Sequence, residues 1–185
     1  MAKVAELHRI PMISPISTIP SLTAIGVFIF RVCYNDDFQG ATLAHFAFND
    51  LGARRAVIFI DIASDFSMYI ANVFSRTFAS LGGTVVKEIE YKTGQADFRP
   101  AIRETLDHNA DVVFLSGYDE SGYIAAGLQE AGHKAIPIGS DGWEAKSFFT
   151  SGGNKIRRGY FINHWLPTGT NPRSQAFIEK FAGEG

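Results

Sequence analysis

Cysteine is almost absent: Cys33 is the only one in 185 residues. A lone cysteine closes no intrachain disulfide, so the fold must be held by its core. Its neighbour Val32 makes the setting apolar, and no His or Asn motif of a cysteine nucleophile lies nearby, so a packed thiol is expected. An excess of either charge is also lacking. Seventeen basic residues face nineteen acidic ones, for a net charge of −2. Binding nucleic acid or an anionic membrane surface needs a basic field, so neither partner is expected. Arg54-Arg55 and Arg157-Arg158 each precede an apolar run and read as solvated strand entrances. No apolar stretch approaches the roughly 20 residues of a membrane span. The segment Met1 to His8 carries no apolar h-region, so an export signal would have to lie outside this chain.

Chemical motifs are missing too. There is no Walker A sequence and no GxSxG elbow. Gly117, Gly122 and Gly127 recur without the GxGxxG spacing of a dinucleotide loop. Asp36-Asp37 and Asp61 imitate the acidic cluster of a phosphoacceptor domain, but residues 159–164 supply no lysine to complete it. The five histidines (His8, His45, His108, His133 and His164) are scattered, and none pairs at metal-ligand spacing. Ser116 and Ser140 have no neighbouring base. The expectation is therefore no catalysis, no metal and no cofactor.

What the chain does have is order. Hydrophobic residues make up 46% of it, enough for a sizeable core. Five short apolar runs recur: Ala56-Val57-Ile58-Phe59-Ile60, Thr84-Val85-Val86, Val112-Val113-Phe114-Leu115, Ile136-Pro137-Ile138 and Tyr160-Phe161-Ile162. The first four give way to helix-like patterns. Strand-length apolar runs alternating with amphipathic segments predict βαβ units and a parallel sheet. The spacing predicts strands over 55–60, 84–91, 111–115, 135–139 and 159–164. Helices are expected over 38–51, 67–81, 98–108, 120–131 and 143–149. Right-handed crossovers favour an α/β, doubly wound, flavodoxin-like five-stranded sheet in the order 2-1-3-4-5. The strand 111–115 is purely apolar inside and should be central, beside 55–60. The mixed run 84–91 suits an edge. Outside this unit, 2–8 reads as the last turns of a helix, 10–14 and 27–33 as strands, 15–22 as a loop or linker, and 172–181 as an amphipathic helix.

In open sheets of this kind, ligands sit beyond the carboxyl ends of the strands. Three runs end in groups suited to a small polar ligand: Asp61 to Phe66, Ser116-Gly117-Tyr118 and Ser140-Asp141-Gly142. Asp141 is the best-placed carboxylate for a ligand ammonium; its plainer reading is the cap of the next helix, which Ser140 could fill instead. Tyr118 could lay its ring over a ligand or merely sit on the rim. Phe66 and Ser67 could offer an aromatic wall and a helix N-terminus for an anion, or only a hydrophobic staple. Trp143 and Trp165 suit packing as well as ligand walls.

The ordered series Phe30-Arg31-Val32-Cys33-Tyr34-Asn35-Asp36, Leu51-Gly52-Ala53-Arg54, Asp65-Phe66-Ser67, Leu81-Gly82-Gly83, Asp97-Phe98, Ser116-Gly117-Tyr118 and Gly139-Ser140-Asp141-Gly142-Trp143 resembles the second lobe of type I periplasmic binding proteins. Among these it is most similar to the branched-chain amino acid receptors of ABC transporters. Ile10-Pro11-Met12-Ile13-Ser14-Pro15 resembles the end of the first lobe. The resemblance implies two lobes closing over an amino acid. Asp141 would take the ammonium, and Phe66 and Tyr118 would be its aromatic neighbours. It implies residues 1–30 as a remnant of the first lobe and hinge, 31–160 as the second lobe, and 161–185 as the hinge return and start of a first-lobe helix. It also implies an ABC permease partner and a periplasmic or extracytoplasmic location. The ends of the chain could pair with a second copy. Met68-Tyr69 departs from the small residue that relatives usually carry there.

Overall fold

The computed structural model describes residues 1–166 and 170–183. Its main unit is a parallel sheet of five strands: β3 (Arg55–Asp61), β4 (Thr84–Tyr91), β5 (Val112–Leu115), β6 (Ile136–Gly139) and β7 (Tyr160–Phe161). The strands lie in the order β4-β3-β5-β6-β7, and every neighbouring pair is parallel. Counted from β3, this is the expected 2-1-3-4-5. The reason is burial on both faces. Every residue of β5 is buried, and side chains alternate between two cores.

Val57, Phe59, Val113 and Leu115 point to one side, against α4 (Arg99–Leu106), α5 (Glu120–Glu130) and α6 (Lys146–Gly152). Ala56, Ile58, Val112 and Phe114 point to the other, against α2 (Asp36–His45) and α3 (Asp65–Ser80). There the Phe74 and Phe114 rings meet at 4.5 Å. Each such buried ring stabilises the fold by about 2–3 kcal/mol. On the opposite face, α5 and α6 approach so closely that a Cβ on Gly122 would sit 2.3 Å from the Phe148 carbonyl oxygen. β4 is the edge, with Lys87, Glu88 and Glu90 among its partly or fully exposed positions.

Several boundaries differ from the periodicity. The helix expected over 38–51 begins two residues earlier, because Asn35 rather than an aspartate accepts the Phe38 N–H at 3.0 Å. It then widens into a π-helical turn at Phe46–Asp50. Ser64, not Asp65 or Ser67, caps α3 through the Ser67 N–H at 3.3 Å. The helix expected at 143–149 is a 3-10 turn, Asp141–Glu144, followed by α6. β7 is only two residues long and pairs with Ile138 and Gly139 of β6.

The flanking segments form a second, smaller assembly. α1 (Ala2–Leu7) precedes β1 (Met12–Ser14), which pairs in parallel with β2 (Ile29–Arg31). The Glu6 carboxylate accepts the Val27 and Phe28 amides and ties α1 to this sheet. The stretch expected as loop contains a 3-10 helix, Pro20–Ile25. Arg31 organises it, donating to the carbonyls of Ser17, Thr18 and Pro20 and to the Thr23 hydroxyl. The last helix, α7 (Pro172–Gly183), buries none of its described residues.

Candidate functional site

The carboxyl ends of β3, β5 and β6 open onto a cleft of about 730 Å³. This is where the crossovers leave room beside a doubly wound sheet. Asp65 and Phe66 enter it from the start of α3, Tyr118 from the loop after β5, and Asp141, Gly142, Glu144 and Ala145 from the turn after β6. The fourth side is Ile16 to Ile19, the stretch clamped by Arg31.

Phe66 and Tyr118 stack at 5.1 Å between centroids, forming a joint aromatic wall. Gly142 permits this geometry: a Cβ there would lie 2.7 Å from the Tyr118 ring. Burial pushes the Tyr118 hydroxyl up to about 12, with the Asp141 and Asp36 carboxylates adding to it. At neutral pH this hydroxyl is therefore a neutral donor.

Asp141 is held at its amide and at its carboxylate. Its backbone N–H donates to Gln39 Oε1 at 2.7 Å. Its Oδ2 meets His164 Nε2 at 3.0 Å, with the carboxylate only 12% exposed and the imidazole 23%. Tyr34 stacks on the imidazole at 3.7 Å. The helix-cap reading of Asp141 does not apply, because Ser140 Oγ accepts the Gly142 N–H. The carboxylate is left for other work.

Behind it lies Asp36, fully buried. Its N–H donates to the Thr18 carbonyl, and its Oδ1 accepts from Gln39 Nε2 at 3.3 Å. Burial pushes the Asp36 carboxyl up to about 6; Thr18 and Arg31 pull it down, and the Asp141 charge pushes it up. Burial, then the same Asp141 charge, drives the Tyr34 hydroxyl well above its ordinary range. The site is thus an acidic floor beside an aromatic wall, suited to a cationic head group next to an apolar body.

Of the four residues singled out from the sequence, Asp141, Tyr118 and Phe66 line this cleft together. Ser67 does not. It is fully buried, and its hydroxyl accepts the Asp61 N–H and lies 2.5 Å from Ser116 Oγ. Ser116 in turn donates to the Phe59 carbonyl. This relay ties the tips of β3 and β5 to α3, and it turns Ser67, expected beside a ligand, into the core. Asp61 is likewise structural, accepting from the Ala63 and Thr93 amides and the Thr93 hydroxyl. Among the described residues, no group of three His, Cys, Asp or Glu could hold a metal ion.

His164, Tyr34, Gln39 and the segment 16–19 escaped the sequence reading. His164 had a usable signal. It lies two residues beyond the apolar run ending at Ile162, the kind of strand-tip position that singled out Asp141. The segment 16–19 looked like a linker because its Ser, Thr and Pro content carries no periodicity.

A family profile described as "Periplasmic binding protein" matches residues 1–184. The chain belongs to the periplasmic binding protein family. The family and its structural neighbours are solute-binding proteins rather than enzymes. The chain is similar to a Leu/Ile/Val-binding protein homolog from Brucella melitensis, 26% identical over 165 residues, 88% of this chain and 45% of the relative. It is also similar to an amino acid binding protein from Pseudomonas aeruginosa, 28% identical over 190 residues, 100% of this chain and 50% of the relative. A solved leucine binding protein, LivK from Thermotoga maritima, superposes with a TM-score of 0.91 at 33% identity, covering 99% of this chain and 53% of its own. The chain spans about half the length of the curated relatives it matches.

Proposed function

We propose that this chain is the ligand-grasping second lobe, with hinge segments, of an amino acid receptor that serves an ABC transporter outside the cytoplasm. The observation that carries this reading is the Asp141 carboxylate at the tip of β6, facing the stacked Phe66 and Tyr118 rings across one open cleft. A carboxylate takes an α-ammonium, and the aromatic wall covers an aliphatic side chain. Capture and delivery to a permease need no bond chemistry. The similarity to proteins named for leucine and for Leu/Ile/Val supports a branched-chain amino acid or a near relative as ligand.

Residues 1–30 and 161–185 are read as hinge and first-lobe pieces, and 31–160 as the second lobe. A ligand held between two lobes takes part of its contacts from each. With one lobe, two or three charge-assisted hydrogen bonds, each worth about 1.5–3 kcal/mol, are lost. Micromolar affinity then falls to about millimolar or weaker. Titrating a two-lobed receptor carrying this lobe with leucine, isoleucine and valine should give saturable binding, and the 185-residue chain alone should bind weakly. Tight binding by the 185-residue chain as a monomer would overturn the two-lobe account, and no binding by the two-lobed form would overturn the ligand class.

A further inference from the structure

The Asp141 carboxylate already has a cationic suitor. His164 Nε2 sits 3.0 Å from Oδ2, and both side chains are mostly buried. No side chain among the described residues engages Oδ1. The imidazole is fixed from its face by Tyr34, whose ring lies 3.7 Å away at an interplanar angle of 23°. His164 belongs to the segment after β7, whereas Tyr34 lies between β2 and α2. The two chain segments that flank the five-stranded unit therefore meet on the carboxylate. The titratable groups around this junction are Asp141 and Glu144 from the turn after β6, Asp36 from α2, and Tyr34 and Cys33 from the segment before α2.

We propose that His164 is a positioning residue for the ammonium site: it holds Asp141 Oδ2, leaves Oδ1 for the ligand, and competes with the ligand cation when protonated. The inference rests on the amino acid reading above. A neutral imidazole donates one hydrogen bond and adds no charge. An imidazolium in the same place already neutralises Asp141 and repels an incoming ammonium through a partly buried medium. A bound ammonium must then favour the neutral imidazole, and by reciprocity the proton must disfavour the ligand by the same factor.

The test uses a two-lobed receptor carrying this lobe, titrated with leucine from pH 7.5 to 5.5. Wild-type affinity is expected to fall about tenfold across this range. His164→Gln keeps a donor to Asp141 but not the proton, and should bind within about threefold of wild type at pH 7.5 with a much shallower profile. Asp36→Asn should retain the fall, which separates His164 from Asp36, whose buried carboxyl is raised to about 6. A wild-type pH profile in His164→Gln overturns the positioning role alone. Failure of the wild-type receptor to bind any amino acid overturns the functional reading, and this inference with it.

Discussion

The five-stranded unit and the flanking segments solve the same problem to different degrees. In the unit, β5 is buried at every position, and Phe59, Phe74, Phe78 and Phe114 are fully enclosed. In the flanks, Ile13, Val27, Phe30 and Val32 remain largely exposed around β1 and β2, as do Phe177 and Phe181 on α7. The unit stacks helices on both faces of its sheet. The small β1–β2 pair has too few strands to form a core, and α7 buries none of its described residues, with Trp165 packed against Phe177 and Phe177 against Phe181. Stability therefore resides in the α/β unit. The flanks are apolar surfaces in need of cover, as exposed patches of this kind usually are.

The largest effect that would break this contrast is a core truncation. Phe114→Ala should cost about 3–5 kcal/mol in denaturant unfolding, because it empties a site closed by Phe74. Phe177→Ala on α7 should change stability by less than about 0.5 kcal/mol. Equal losses at the two positions would show that α7 belongs to the core after all. The apolar flanks should also make the 185-residue chain self-associate through its ends in sedimentation runs. A strict monomer at high concentration would count against that role.

Next comes the cleft. In a two-lobed receptor carrying this lobe, Asp141→Asn should cost about 2–5 kcal/mol of amino acid affinity, since a desolvated ammonium loses its charged partner. The fold should survive, because Ser140 rather than Asp141 caps the turn. Calorimetric titration of both forms decides this: equal affinities would remove Asp141 from the site.

A smaller effect is expected at Asp36, where the flank and the unit meet. Its folded-state carboxyl is raised to about 6. Below about pH 4 it is protonated folded or unfolded, and stability is highest there as far as this group is concerned. As pH rises through 6 the buried group must ionise, and that stability is lost. Asp36→Asn should therefore raise unfolding free energy by about 1–2 kcal/mol at pH 7 and by almost nothing at pH 4. A difference that is the same at both pH values would show that Asp36 acts through packing alone.

Much of the unit was legible from periodicity. Strand-length apolar runs between amphipathic helices lead to a parallel sheet, and right-handed crossovers restrict its order. The pure run at 112–115 marked the centre, and the charged alternation of 84–91 marked the edge. Strand-tip reasoning also picked out Asp141, Tyr118 and Phe66, which line one cleft because parallel strands all end on one side. It failed for Ser67. A hydroxyl at a helix start looks the same in sequence whether it faces a ligand or a neighbouring strand, and Ser116, 49 residues away, decided the matter.

By itself, then, the sequence determined which segments bury which faces, since burial on a strand or helix is written in local spacing. Contacts between distant residues carry no such record. Gln39 meets the Asp141 amide across 102 residues, and His164 meets its carboxylate across 23. Neither pairing follows from a period or a motif. Both arise because helices stacked on a twisted sheet bring α2 and the segment after β7 to the same strand tip, and only the tertiary structure could decide that Asp141 is a held carboxylate with one oxygen to offer.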